Sequence, residues 1–237
     1  MKKLLEYFSK AEIAIWCVSV LLISLSFFAF DGGSPLKFIA SIIGITALLL
    51  CAKGNPLGQL LVIVFSVLYA IISYSFAYYG EMITYAGMSG PMAVLALVSW
   101  LRNPYEGKHS EVKVNSIGRR EAVFLSFLSV AVTVAFYFIL KHFETANLIP
   151  STVSVLTSFV AVYLTFRRSP YYAVAYAFND VVLMMLWSLA AFSDISYLSV
   201  VICFAAFLIN DIYGFWSWQK MKKRQENPTP CQENAEA

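Results

Sequence analysis

Apolar residues in this chain fall into eight stretches of 17 to 23 residues, at 13 to 30, 36 to 52, 57 to 79, 82 to 101, 121 to 140, 148 to 166, 171 to 192 and 196 to 218, with polar gaps between them. A helix needs about 20 residues at ~1.5 Å each to cross ~30 Å of hydrocarbon, so these lengths suit transmembrane helices and not strands. The pattern predicts an all-α membrane protein with eight transmembrane helices.

Composition leaves little room for anything else. The 237 residues are 59% hydrophobic and 13% charged, with a mean hydropathy of +0.70, far from the balance of a soluble domain. Residues 1 to 218 read as a single transmembrane domain, and the polar tail 219 to 237, which lacks apolar periodicity, as a disordered cytoplasmic extension. Charge then sets the orientation, because Lys and Arg near span ends are retained in the cytoplasm. With the N-terminus inside, 15 of the 17 basic residues lie on that side, Lys37 and Lys141 being the exceptions. Both termini are therefore expected in the cytoplasm. The net charge of +3 reflects this bias and gives no reason to invoke nucleic acid. The first stretch has no small-residue cleavage pattern after Phe30 and reads as a retained anchor. Cys17, Cys51, Cys203 and Cys231 show no C-x-x-C spacing and read as small apolar fillers, with neither a metal site nor a cofactor implied.

The chain also repeats itself. A shift of 114 residues lays residues 39 to 56 over 153 to 170, so that Lys53 meets Arg167 and Pro56 meets Pro170. The correspondence lies in the order of elements: span, short basic Pro-containing turn, long span, outer turn, and a span ending in a tryptophan segment, at Trp100 and Trp216. The shift covers four spans, an even number, so the two copies point the same way through the membrane. This predicts a parallel three-plus-one-plus-three arrangement, a recurring transporter signature. Its parts are an extra N-terminal helix at 13 to 30, repeat one at 36 to 101, a connector helix at 121 to 140 and repeat two at 148 to 218.

Candidate chemistry is marked by polar groups at membrane depth, which are costly in hydrocarbon and face an interior or a cavity. Span seven carries Asn179 and Asp180 near its middle. Tyr172, Tyr176, Asn179 and Leu183 share one helical face, and Trp187 lies seven residues beyond Asp180. Span eight carries a second pair, Asn210 and Asp211, followed by Tyr213, with Trp216 and Trp218 at its cytoplasmic end. No intramembrane Lys or Arg neutralises the acids, which leaves a cationic ligand, a proton or a network with the adjacent amide as their partner. Acid, amide and aromatic together suit a planar, positively charged or hydroxyl-rich small molecule. The simpler role of the two asparagines is interhelical hydrogen bonding that holds the bundle together. Span three, through Tyr69 and Gln59, is expected to close the site from the other repeat. An enzyme is not indicated: His109 and His142 lie in or beside loops, and there is no H-E-x-x-H or G-x-S-x-G motif.

FLINDIYGFWSW at 207 to 218, AFNDVVLMMLW at 177 to 187 and SYSFAYYGEMITYAGM at 73 to 88 resemble the PnuC nicotinamide riboside transporters, as does the connector SWLRNPYEGKHSEVKVN at 99 to 115. The resemblance covers essentially the whole chain. It implies a fold similar to the SWEET sugar transporters, a homotrimer in the bacterial cytoplasmic membrane, and facilitated diffusion of the riboside. Trapping by a cytosolic riboside kinase would then feed NAD synthesis. It also carries a substrate role to Trp187 and Asn210. The chain departs from the family pattern at Ala93, where many members have Gln after Pro-Met, and in lacking a second tryptophan near Trp187. Related carriers take thiamine or similar vitamins. A different vitamin, or a role as the substrate-binding subunit of a larger vitamin importer, is the competing reading.

Overall fold

The computed structural model describes residues 7–31, 35–75, 79–145 and 147–227. Among the described residues, eight helices are long and apolar enough to cross a membrane: α1 (Lys10–Asp31), α2 (Pro35–Ala52), α3 (Pro56–Ser75), α4 (Tyr79–Leu101), α5 (Arg119–His142), α6 (Leu148–Phe166), α7 (Tyr172–Ala191) and α8 (Ile195–Glu226). All eight expected spans are present. Helix α1 starts three residues earlier than its apolar run because Ser9 and Glu12 form a reciprocal cap. Ser9 Oγ accepts from the Glu12 amide at 3.2 Å, and Glu12 accepts from the Ser9 amide at 2.6 Å. Helix α8 runs eight residues past 218, since Gln, Lys, Met, Arg and Glu are good helix formers that need no bilayer. The expected tail is thus helical to Glu226, and residues 228 to 237, including Cys231, lie outside the described residues.

Six helices form a closed ring. In packing order it runs α2, α3, α4, α6, α7, α8 and back to α2, while α1 lies outside against α2 and α8, and α5 lies outside against α6. Close approach within the ring needs small residues: a Cβ on Gly58 would sit 2.7 Å from the Cys51 backbone nitrogen, so α2 and α3 can meet there only through glycine.

The two basic turns are built alike. Gly54 (φ 67°) and Arg168 (φ 58°), 114 residues apart, both adopt the left-handed region. Around them the backbone bonds recur at the same offset: the Asn55 amide donates to Leu50 and the Ser169 amide to Leu164, both at 3.0 Å, while Gly54 donates to Cys51 and Arg168 to Thr165. Two indoles then bridge neighbouring helices, α4 to α6 and α8 to α2. Trp100 Nε1 donates to the Thr165 carbonyl at 2.9 Å, and Trp218 Nε1 donates to the Cys51 carbonyl at 2.8 Å. Both tryptophans are fully buried, with ring centroids 5.4 Å apart. The counterpart of Trp100 is therefore Trp218, and the expected pairing with Trp216 is corrected: Trp216 faces outward at 65% exposure, on the opposite side of α8.

The polar gap between α4 and α5 holds a small antiparallel hairpin, β1 (Pro104–Tyr105) and β2 (Lys108–Val112). It binds both basic turns at once. The Val112 amide donates to the Gly54 carbonyl at 3.0 Å and the Asn115 amide to the Arg168 carbonyl at 2.9 Å. Gln225 of α8 accepts from the Val114 amide at 2.8 Å and donates to the Val112 carbonyl at 3.0 Å.

Candidate functional site

A cavity of about 100 Å³ lies inside the ring and takes its walls from all six ring helices. Its polar lining includes Gln59 on α3, Glu81 on α4, Ser154 and Ser158 on α6, Asn179 and Asp180 on α7, and Asp211 on α8. No Lys or Arg is among its lining residues. On α7, Tyr172, Tyr176, Asn179, Asp180 and Leu183 all reach the cavity, as helical spacing requires of positions on one face.

Two of the amides are held in place. Asn179 Oδ1 accepts from Thr157 Oγ1 at 2.8 Å and from Ser158 Oγ at 2.9 Å, so its amide NH2 is the group left to meet a ligand. Gln59 Nε2 donates to Cys51 Sγ at 3.2 Å. Asp180 and Asp211 are each only 3% exposed and lie side by side. Asp180 Oδ2 meets no N–H or hydroxyl donor, which is rare for a buried acid and marks unused capacity in the cavity wall. Gly44 opens the apolar side, since a Cβ there would sit 2.7 Å from Phe207 Cζ and 3.0 Å from Phe65 Cε2.

Only some of the expected site residues reach the cavity. Gln59, Tyr176, Asn179, Asp180 and Asp211 converge on the cavity. Tyr69 lies one layer out, its ring 4.7 Å from Phe65 and 5.0 Å from Tyr85, both of which line the cavity. Trp187 continues the α7 face one turn beyond Leu183. It packs on Tyr197 at 5.4 Å and lines a separate 410 Å³ vestibule at the end of the bundle opposite the basic turns. Asn210 and Tyr213 face away. Asn210 Nδ2 donates to Ser19 Oγ at 2.9 Å and to the Ala206 carbonyl at 2.8 Å, and the Tyr213 hydroxyl donates to Glu12 at 3.0 Å. Both partner residues, Ser19 and Glu12, belong to α1, and Glu12 also pairs with Lys53 at 3.1 Å. The reason is geometric: adjacent residues on a helix point about 100° apart, so Asp211 enters the ring while Asn210 meets the outer helix.

Sequence reasoning missed Glu81. It is the third residue of α4 and lines both the cavity and the vestibule. Its signal was a lone acid at the margin of an apolar stretch.

The chain matches the nicotinamide mononucleotide transporter family over residues 34–220. The nicotinamide riboside transporter PnuC of Neisseria mucosa is 26% identical over 215 residues, covering 89% of this chain and 82% of that protein. A crystal structure described as the vitamin B3 transporter PnuC shares the fold, with a TM-score of 0.78 at 24% identity, covering 92% of this chain and 94% of that one.

Proposed function

The chain belongs to the nicotinamide mononucleotide transporter family, the PnuC transporters, multi-pass proteins of the bacterial cytoplasmic membrane and not enzymes, and on that premise we propose that it carries nicotinamide riboside through the ring. One observation carries the choice of substrate: the central cavity holds three acids, an amide, a glutamine and tyrosines, with no basic residue in its lining. A pyridinium cation bearing a ribose fits that set, since carboxylates and aromatic faces attract the ring while the amides meet the hydroxyls. A phosphate does not fit, because desolvating a dianion beside three carboxyls has nothing to offset it. The riboside is therefore favoured over the mononucleotide that shares its ring.

The same charge logic supports facilitated diffusion. Once a cytosolic kinase phosphorylates the riboside, the product is a species that the acidic cavity rejects, so net uptake follows consumption toward NAD. Phosphorylation acts as the trap. The basic turns and the hairpin lie in the cytosol in this reading, with both termini, and the vestibule opens outward. The parallel repeat of three helices on each side of a connector is supported by the matched turns at Gly54 and Arg168 and by the crossed Trp100 and Trp218 bonds. Alternation would move one repeat against the other. Movement is required, because about 100 Å³ is well below the ~300 Å³ at which ligand pockets begin. Assembly as a homotrimer is proposed on the family resemblance.

Thermal melting of the purified protein tests the reading against nicotinamide riboside, nicotinamide mononucleotide, nicotinamide, thiamine and riboflavin. A ligand that binds the folded state raises the midpoint by mass action. A rise with the riboside and none with the mononucleotide is expected. A rise confined to thiamine would keep the carrier and replace the substrate.

A further inference from the structure

We infer that Glu81 is a specificity-determining residue, the carboxylate that receives a cationic substrate from the vestibule and passes it to the Asp180–Asp211 pair. The inference rests on the proposed riboside reading and assigns a role within that site. Glu81 lines both the 410 Å³ vestibule and the central cavity, so it stands on the wall between them. The vestibule holds a second acid, Glu144, and the aromatic rings of Tyr79, Phe143, Trp187 and Tyr197, again with no Lys or Arg in its lining. A cation moving inward would therefore meet carboxylate and ring faces at each stage. Among the described residues, no ion pair engages Glu81.

The position is built rather than incidental. A Cβ on Gly80 would lie 2.4 Å from Thr145 Oγ1 and 2.7 Å from Leu140 Cδ2, so glycine alone lets the first turn of α4 press against the α5–α6 turn. This contact fixes the neighbouring Glu81 at the wall. From there Glu81, Thr84, Tyr85 and Ser89 descend one face of α4 into the cavity, through the π-helical turn at Tyr85–Ser89. On the far side wait Asp180 and Asp211, the former with an oxygen that no protein N–H or hydroxyl satisfies. One acid at the mouth and two at the base define a path for positive charge.

The test is uptake of radiolabelled nicotinamide riboside into proteoliposomes by the full chain, by Glu81→Gln and by Glu81→Asp, with melting midpoints as the folding control. Loss of one charge-assisted contact predicts that Glu81→Gln falls about tenfold in initial rate while melting normally. Glu81→Asp, which keeps the charge, is expected to stay within about threefold of the parent, because aspartate retains the attraction at somewhat longer reach. Equal impairment of the two variants would overturn the inference by making shape the cause, and so would unimpaired uptake by Glu81→Gln. Failure of the parent chain to carry the riboside would instead remove the proposed function, and this inference with it.

Discussion

Replacing Asp180 with Asn should move stability and ligand binding in opposite directions. The side chain is 3% exposed, lies against the Asp211 carboxyl, and has one oxygen without an N–H or hydroxyl donor. Asparagine is isosteric and brings an amide that can donate to Asp211, so it turns an acid–acid contact into a satisfied hydrogen bond. Relief of a poorly satisfied buried acid contributes on the order of 1 kcal/mol, which for a chain of this size raises the melting midpoint by about 2–4 °C. Binding of a cation goes the other way. Loss of a charged contact costs roughly 1.5–3 kcal/mol, a ~10- to 150-fold rise in Kd. Melting curves with and without nicotinamide riboside, followed by calorimetric titration, would read both effects on one sample. A lower midpoint with unchanged affinity would make Asp180 a structural member of the bundle and not part of a cation site.

Asn210→Leu should lower the melting midpoint by an amount corresponding to about 1–2 kcal/mol, through the lost bonds to Ser19 and Ala206, and leave riboside affinity within about threefold. Abolished binding with normal melting would return Asn210 to the substrate site. Trp100→Phe and Trp218→Phe should each destabilise by about 1–3 kcal/mol, since each removes an indole N–H bond and leaves a void around a fully buried ring; chemical or thermal unfolding of the two variants should give similar losses if the crossed contacts are equivalent. Gly44→Ala should slow uptake more than it lowers stability, because the added methyl meets Phe207 and Phe65 at the cavity wall. Uptake at the parent rate would show that this wall does not limit passage.

The spans were legible because bilayer thickness dictates their length and because little but hydropathy decides where a helix crosses. Their ends were less so. Helix α4 begins at Tyr79 rather than 82, so Glu81, which falls in the gap between two apolar stretches, lies on a cavity wall. The π-helical turns at Phe27–Asp31 and Tyr85–Ser89 have no sequence period of their own, since they arise where packing shifts a backbone bond. The acids on α7 and α8 were found from depth and lack of partners alone. What could not be read was which of two adjacent residues faces inward. Asn210 and Asp211 sit on a helix covered on both sides, by the ring and by α1, so burial of a polar residue on α8 does not by itself imply the cavity. Tyr213 shows the same ambiguity: its partner, Glu12, lies almost the whole chain away in sequence and belongs to the outer helix.

In the proposed mechanism this chain alone moves the cationic riboside through an acidic ring and excludes its phosphorylated form. Radiolabelled uptake into proteoliposomes containing only this protein, with no nucleotide and no ion gradient, tests it most directly. Nicotinamide riboside is expected to equilibrate across the membrane while nicotinamide mononucleotide stays outside. Passage of the mononucleotide at a comparable rate, or of neither compound, would contradict it.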